Sequence, residues 1–251
     1  MMLQVSHLSK VFGGLRAVDD ADLQVDEGRI VALIGPNGAG KTTLFACIAG
    51  FLPVNAGRVV FMGQDITGWP VHRISRAGMV RTFQITQPFA KLTVHENIAV
   101  GAYQQFHDRR EAWEHARAVA RQVGMDGMLA QPASGLTVAG RKRLELARAL
   151  ATGPKLLLLD EVMAGLNPTE ILEIIGIIRA IRDSGVTVLL IEHVMHAVMS
   201  LSDHIYVLSY GKIIAQGSPQ EVVNNPAVIE AYLGRGSGDL AANTPTEVAH
   251  A

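Results

Sequence analysis

Hydrophobic and polar positions change period several times along the chain, and each change predicts an element. Residues 3–8 alternate apolar and polar side chains in the manner of a half-buried strand, and residues 21–25 read as another. Asp26-Glu27-Gly28 supplies a turn into the aliphatic run 29–34, and edge-like strands with a glycine turn predict a small antiparallel layer. A helix is expected over 41–49, stopped by Gly50. A strand follows at 57–61, then a short helix over 69–76 that begins near Pro70. Residues 94–129 carry Ala, Glu, Arg and Gln at helical spacing with few β-branched runs, which predicts a helical insertion.

Downstream, strand and helix alternate. Strands are expected at 156–159, 186–191, 205–208 and 212–215, with helices at 169–182 and 196–201. Such alternation predicts a mostly parallel sheet covered on both faces. Ile171, Ile174, Ile175 and Ile178 fall at the spacing of one buried helical stripe, so they belong to the core. From Gly234 the chain turns to Gly, Ser, Thr, Ala and Asp without an apolar period, and residues 236–251 are expected to form a flexible tail.

Composition adds a few exclusions. Of 251 residues, 49% are hydrophobic and 18% charged, enough apolar surface for a sizeable core. With 22 basic and 23 acidic residues the net charge is -1, so no global field draws nucleic acid, and no nucleic-acid partner is expected. Arg141-Lys142-Arg143 is a local basic exception. Cys47 is the single cysteine, which excludes an internal disulfide and fits a reducing compartment. The first residues lack the layout of a signal peptide, and no apolar run approaches the ~20 residues needed to span a bilayer. Any connection to a membrane is therefore expected through a partner.

The strongest chemical signal is Gly35-Pro36-Asn37-Gly38-Ala39-Gly40-Lys41-Thr42-Thr43, placed between an apolar strand and a helix. Glycines let the backbone curl so that successive N–H groups face phosphate oxygens, and a helix N-terminus adds partial positive charge. In this pattern Lys41 reaches the β- and γ-phosphates and the Thr42 hydroxyl ligates Mg²⁺. An ordinary glycine-rich turn would not fill every constrained position in this context. Asp160 and Glu161 emerge together from the apolar strand 156–159, at the sheet edge where open α/β folds bind ligands. Asp160 is expected to hold Mg²⁺ through water, and Glu161 to orient and polarise the water that attacks the γ-phosphate. Alone, such a pair would read as a solvated turn; the upstream phosphate loop changes that reading.

With these residues in place, the chain from residue 3 to about 234 resembles the ATPase subunits of ABC transporters. The resemblance implies an α/β fold: a P-loop NTPase (RecA-like) core with an antiparallel β layer and a helical insertion, the ABC ATPase architecture. It implies one ATP-binding domain over 1–235 with the insertion at about 94–152. Phe12 matches the aromatic that stacks on adenine, and Gln84 the glutamine that senses Mg²⁺ and the transmembrane partner. Ala164-Gly165-Leu166-Asn167 sits where the family has its D-loop, and His193 matches the switch histidine that contacts the γ-phosphate. Taken singly, Phe12 would be core, Gln84 a surface residue and His193 a histidine without a ligand; their joint order carries the reading.

One element departs from the family. Its signature loop, Leu-Ser-Gly-Gly-Gln, corresponds to Leu136-Thr137-Val138-Ala139-Gly140, which keeps a hydroxyl but replaces both glycines. In the family this loop closes over the ATP of the opposite subunit. Val138 and Ala139 are expected to weaken or reshape closure if the loop needs positive φ, with Gly140 a partial remedy. Several stretches, 12–20, Asp65-Ile66-Thr67-Gly68, 72–84 and 226–234, are similar to importers of branched-chain and other hydrophobic amino acids.

The resemblance implies ATP and Mg²⁺ as bound groups and catalysis by Lys41, Glu161 and His193. Permease subunits and a second ATP-binding subunit, identical or different, would be direct partners, and a solute-binding protein an indirect one. The location would be the cytoplasmic face of the membrane. A groove at 84–96 would meet the permease, with Phe89 and Leu92 as either contacts or core. Competing readings are a soluble ABC-type ATPase of translation or DNA repair and a nucleotide-binding regulator with weakened catalysis. The single cassette without a heptad run disfavours the first, and intact Lys41, Asp160, Glu161 and His193 the second.

Overall fold

The computed structural model describes residues 1–82 and 87–233. A six-stranded sheet has the order β10-β9-β3-β8-β7-β6. Its strands are β3 (Ile30–Ile34), β6 (Met79–Arg81), β7 (Leu156–Asp160), β8 (Thr187–Ile191), β9 (His204–Ser209) and β10 (Lys212–Gly217). All neighbours are parallel except the β9–β10 hairpin at the edge. Every residue of β3, β7 and β8 is buried, which is why these strands read as unbroken apolar runs rather than alternating ones.

The two faces of that sheet feed two cores. Ile30, Ala32, Leu157, Leu159, Val188 and Leu190 pack with the helices α3 (Val94–Ala102), α4 (Arg109–Gln122), α5 (Val138–Leu150) and α6 (Pro168–Asp183). The intervening residues Val31, Leu33, Leu156, Leu158 and Leu189 pack with α1 (Lys41–Ile48) and a second sheet. That sheet is antiparallel, order β2-β1-β4-β5, from β1 (Leu3–Phe12), β2 (Leu15–Val25), β4 (Ala56–Phe61) and β5 (Gln64–Asp65). The isoleucine stripe of α6 is buried as its spacing requires.

Several boundaries differ from the sequence reading. β1 runs four residues past 8, and β2 starts at Leu15 rather than 21. Register shifts in β1 between Val5 and Val11 break the two-residue period, and much of the early part of β2 is exposed, so alternation fades there. The antiparallel pair is closed at Gly13-Gly14, whereas the turn at Asp26–Gly28 carries the chain from one sheet to the other. Short β5 and β6 and the last helices, α8 (Pro219–Val223) and α9 (Pro226–Leu233), carried too little periodicity to be read as elements. The helix α2 (Val71–Ala77) starts just after Pro70, and α7 (Met195–Leu201) one residue before the expected bound. No helix among the described residues is long and apolar enough to cross a membrane. The expected tail at 236–251 lies outside the described residues, as does Gln84.

Candidate active site

Parallel register brings the chemistry to one edge. Asp160 pairs with Ile191, and Ile191 with Leu33, so the next residues of each strand line up: Glu161, Glu192-His193 and Gly35. On the far side of β7, Arg81 ends β6 opposite Leu158.

The loop from Gly35 to Gly40 turns tightly against its surroundings. Gly35 has φ +150, and a Cβ there would collide with the Leu208 carbonyl; Gly40 has φ +106, and a Cβ there would collide with that of Ala17. Only glycine satisfies both conditions at either position. The loop is tied to the β9–β10 turn by the Gly211 N–H, which donates to Ala39 O at 2.8 Å. Gly40 caps α1 with no side-chain hydrogen bond, so the first amides of that helix remain available to an anion. Lys41 is buried, and its Nζ donates to Gly35 O at 2.7 Å and Pro36 O at 3.0 Å. Burial pushes its ammonium down from the ordinary lysine value, while the Glu161 and Asp160 charges push the other way. Thr43 follows Thr42 in the first turn of α1, where Thr42 is exposed.

Asp160 is 1% exposed and accepts from Arg81 Nη2 at 2.6 Å. Its Oδ1 is buried and has no hydrogen-bond partner among the described residues. Thr42 and Asp160 line one cavity of about 710 Å³ together with Arg81, Thr82 and Glu145. An orphaned carboxylate oxygen and a threonine hydroxyl are hard oxygen donors of the kind Mg²⁺ takes, so this pair fits that ion. Arg81 was not singled out from sequence: its partner is 79 residues away, and only the β6–β7 pairing joins them.

Glu161 follows Asp160 with φ +50, a left-handed conformation uncommon for glutamate. Its Oε1 lies 2.9 Å from His193 Nε2, and the imidazole donates there when Nε2 carries the proton. Glu192, one residue earlier, is 2% exposed. Burial pushes its carboxyl up to about 7, against the Met163 and His193 N–H groups, which favour the ionised form. The adjacent loop runs through Ala164 and Gly165 to Asn167, which caps α6 reciprocally with Glu170.

Other expected residues lie farther out. Phe12 ends β1 and is 44% exposed, with Lys10 Nζ 5.0 Å from its ring centroid, so it is not core. Thr137 caps α5, its Oγ1 accepting the Gly140 N–H at 3.1 Å. Val138 and Ala139 are the first helical residues of α5 and neither has positive φ. The concern over strained replacements of glycine therefore does not arise in this conformation, because a helical start suits any L residue. Gly140 likewise has no positive φ, so it restores nothing that Val138 or Ala139 lacks. Thr137, Ala139 and Gly140 line a pocket with Arg143, Glu170 and Glu173, whose lining contains no residue of the phosphate loop. Phe89 is 45% exposed, and Leu92 is partly buried.

The C-terminal helix α9 flanks the phosphate loop. Pro36, Asn37, Gly38 and Ala39 share a cavity of about 420 Å³ with Ala227, Glu230 and Ala231 of α9. Burial pushes the Tyr232 hydroxyl up to about 12, with the Gly35 backbone favouring ionisation. Eight residues far along the chain gave no signal of this placement.

A family model described as ABC transporter matches residues 18–164, and another, described as branched-chain amino acid ATP-binding cassette transporter, matches 212–237. The chain is similar to the high-affinity branched-chain amino acid transport ATP-binding protein BraF of Pseudomonas aeruginosa: 41% identical over 249 residues, covering 93% of this chain and 98% of that protein. LivG of Escherichia coli K12, with the same description, gives the same identity and coverage. Among solved structures, the ADP conformation of an ATP-binding cassette of an ABC transporter, MJ1267, superposes with TM-score 0.85 at 32% identity, covering 93% of this chain and 98% of that one.

Proposed function

This chain belongs to the ABC transporter family, and from that membership we propose how its residues bind and hydrolyse ATP to power transport. Residues 1–235 act as one ATP-binding unit with the insertion at about 94–152, and 236–251 as its tail. Gly35, Pro36, Asn37, Gly38, Ala39, Gly40 and Thr43 cradle the triphosphate, while Phe12 stacks on the base. Lys41 exchanges its two loop carbonyls for phosphate oxygens. Thr42 and Asp160, with Gln84, would hold Mg²⁺, which neutralises charge on the β- and γ-phosphates.

The observation that carries the mechanism is the 2.9 Å contact between Glu161 Oε1 and His193 Nε2 at the edge that also presents Lys41. Glu161 accepts a proton from water as the water oxygen bonds to Pγ and the bridging P–O bond breaks, its electron pair leaving on ADP. His193 holds the carboxylate in place and contacts the γ-phosphate.

A phosphate loop and a signature loop that open into different cavities support a head-to-tail dimer. Thr137, Val138, Ala139 and Gly140 of one subunit then cover the nucleotide of the other, and either an identical or a different ATP-binding subunit completes the pair. Permease subunits dock at the groove near Phe89, keeping this chain at the cytoplasmic face of the membrane, and a solute-binding protein acts through them. The solute is a branched-chain or other hydrophobic amino acid, a reading supported by the names of the relatives. Those relatives are transport subunits, which disfavours a soluble role in translation or repair.

Glu161→Gln tests the reading in the assembled complex. Turnover should fall by at least roughly a thousandfold, and MgATP should trap a dimer visible by size-exclusion chromatography. Normal hydrolysis by that variant would remove Glu161 from the mechanism.

A further inference from the structure

Two buried charged side chains have no part in the mechanism above. Lys142 of α5 is 5% exposed, and Glu192, directly after β8, is 2% exposed. Both bond to the turn that presents Glu161. Lys142 Nζ donates to the Glu161 carbonyl at 3.2 Å. Glu192 Oε1 accepts the Met163 N–H at 2.9 Å, and its Oε2 accepts the His193 N–H at 3.3 Å. The Glu161 N–H in turn donates to Ile191 O at 3.0 Å.

Burying charge is costly unless it is paired, and apolar side chains of similar size would fill the same space. What the two charges achieve here is specific. Glu161 has φ +50, a conformation that persists only where the surroundings over-determine it. Lys142 grips the carbonyl of that residue, and Glu192 grips the amide two residues on while also holding the backbone of His193. The two reacting side chains are thereby set relative to each other by a single carboxylate.

Lys142 also has a second relation. It lies five residues beyond Thr137 on the same helix, roughly 7–8 Å along the axis. Over about one and a half turns a helix moves nearly as a unit, so a displacement of its first turn carries the Lys142 backbone with it, and Nζ is tied to the Glu161 carbonyl at the other end.

We propose that Lys142 and Glu192 are positioning residues that clamp the Glu161 turn, and that Lys142 transmits movement of α5 to it. Nucleotide of the opposite subunit, met by the first turn of α5, is thereby sensed at the catalytic carboxylate of this subunit. The coupling rests on the head-to-tail arrangement proposed above.

The test uses the assembled permease complex, MgATP turnover, and equilibrium binding of MgADP. Lys142→Met should lower kcat roughly ten- to a hundredfold, the scale of a misplaced catalytic group. MgADP affinity should stay within about twofold of wild type, and the Hill coefficient for MgATP should fall toward one. Lys142→Arg, which keeps a cationic donor, should restore kcat and cooperativity together. Glu192→Gln keeps volume and one acceptor, and should lower kcat in the same direction with MgADP affinity unchanged; it carries the test if Lys142→Met melts early. Wild-type kcat and Hill coefficient in a folded Lys142→Met or Glu192→Gln complex would overturn the clamp. A wild-type complex that turns over MgATP without cooperativity would overturn the coupling alone. No turnover by the wild-type complex at all would instead refute the proposed function, a different and separable failure.

Discussion

Arg81 shows how much one residue can decide at this site. Asp160 is a buried carboxylate with one oxygen on Arg81 and, among the described residues, no hydrogen bond to the other. Removing one partner of such a pair leaves a bare buried charge, at a cost of about 3–5 kcal/mol. Arg81→Met should therefore lower the stability of the nucleotide-free chain by about that amount, read from urea unfolding. Saturating MgATP should narrow the gap to wild type, because a cation beside Asp160 supplies the missing charge. An equal loss with and without MgATP would separate Asp160 from the metal. Nothing in the sequence marks Arg81 for this role, whereas Lys41, Asp160 and Glu161 announce themselves through their neighbours. The difference is locality: loop and strand-end motifs are written in consecutive residues, and the Arg81–Asp160 pair is not.

At the scale of elements, α5 alters the meaning of the unusual signature loop. Val138 and Ala139 looked strained in a loop, yet as the opening turn of a helix they are ordinary. Thr137 supplies the cap, and its hydroxyl proton remains free to donate while the oxygen accepts the Gly140 amide. Thr137→Ala should cost about 1 kcal/mol by denaturant unfolding, the usual worth of such a cap, and should reduce turnover in the complex further than stability alone explains. Thr137→Ser should keep both. Elements with strong periodicity, such as α6, were legible to within a residue. β2 was legible only from residue 21, because the earlier residues of this edge strand, beside a bulged partner, are largely exposed or half-buried and show no alternation.

For the molecule as a whole, pH exposes the cost of holding Glu192 inside. Its carboxyl sits at about 7 against an ordinary 4.5, so between those values the folded chain binds more proton than the unfolded one. Stability contributed by this group therefore falls as pH rises from 4.5 to about 7 and is flat above, a total of about 3 kcal/mol. Glu192→Gln lacks this titration, so the stability difference between wild type and variant should follow that curve in urea titrations at stepped pH; a pH-independent difference would show that the carboxyl is not perturbed. Glu192 follows β8 directly and bonds to the backbone of Met163, in the turn after β7, which holds it inside. By itself the sequence determined the alternation that makes a parallel sheet, the glycine loop and the paired carboxylates, since periodicity and local motifs are short-range properties of the chain. Only the tertiary structure decided that Arg81 neutralises Asp160, that Lys142 and Glu192 meet at Glu161, and that α9 flanks the phosphate loop. Those contacts join residues far apart along the chain, and strand order and register, not local preference, choose which of them touch.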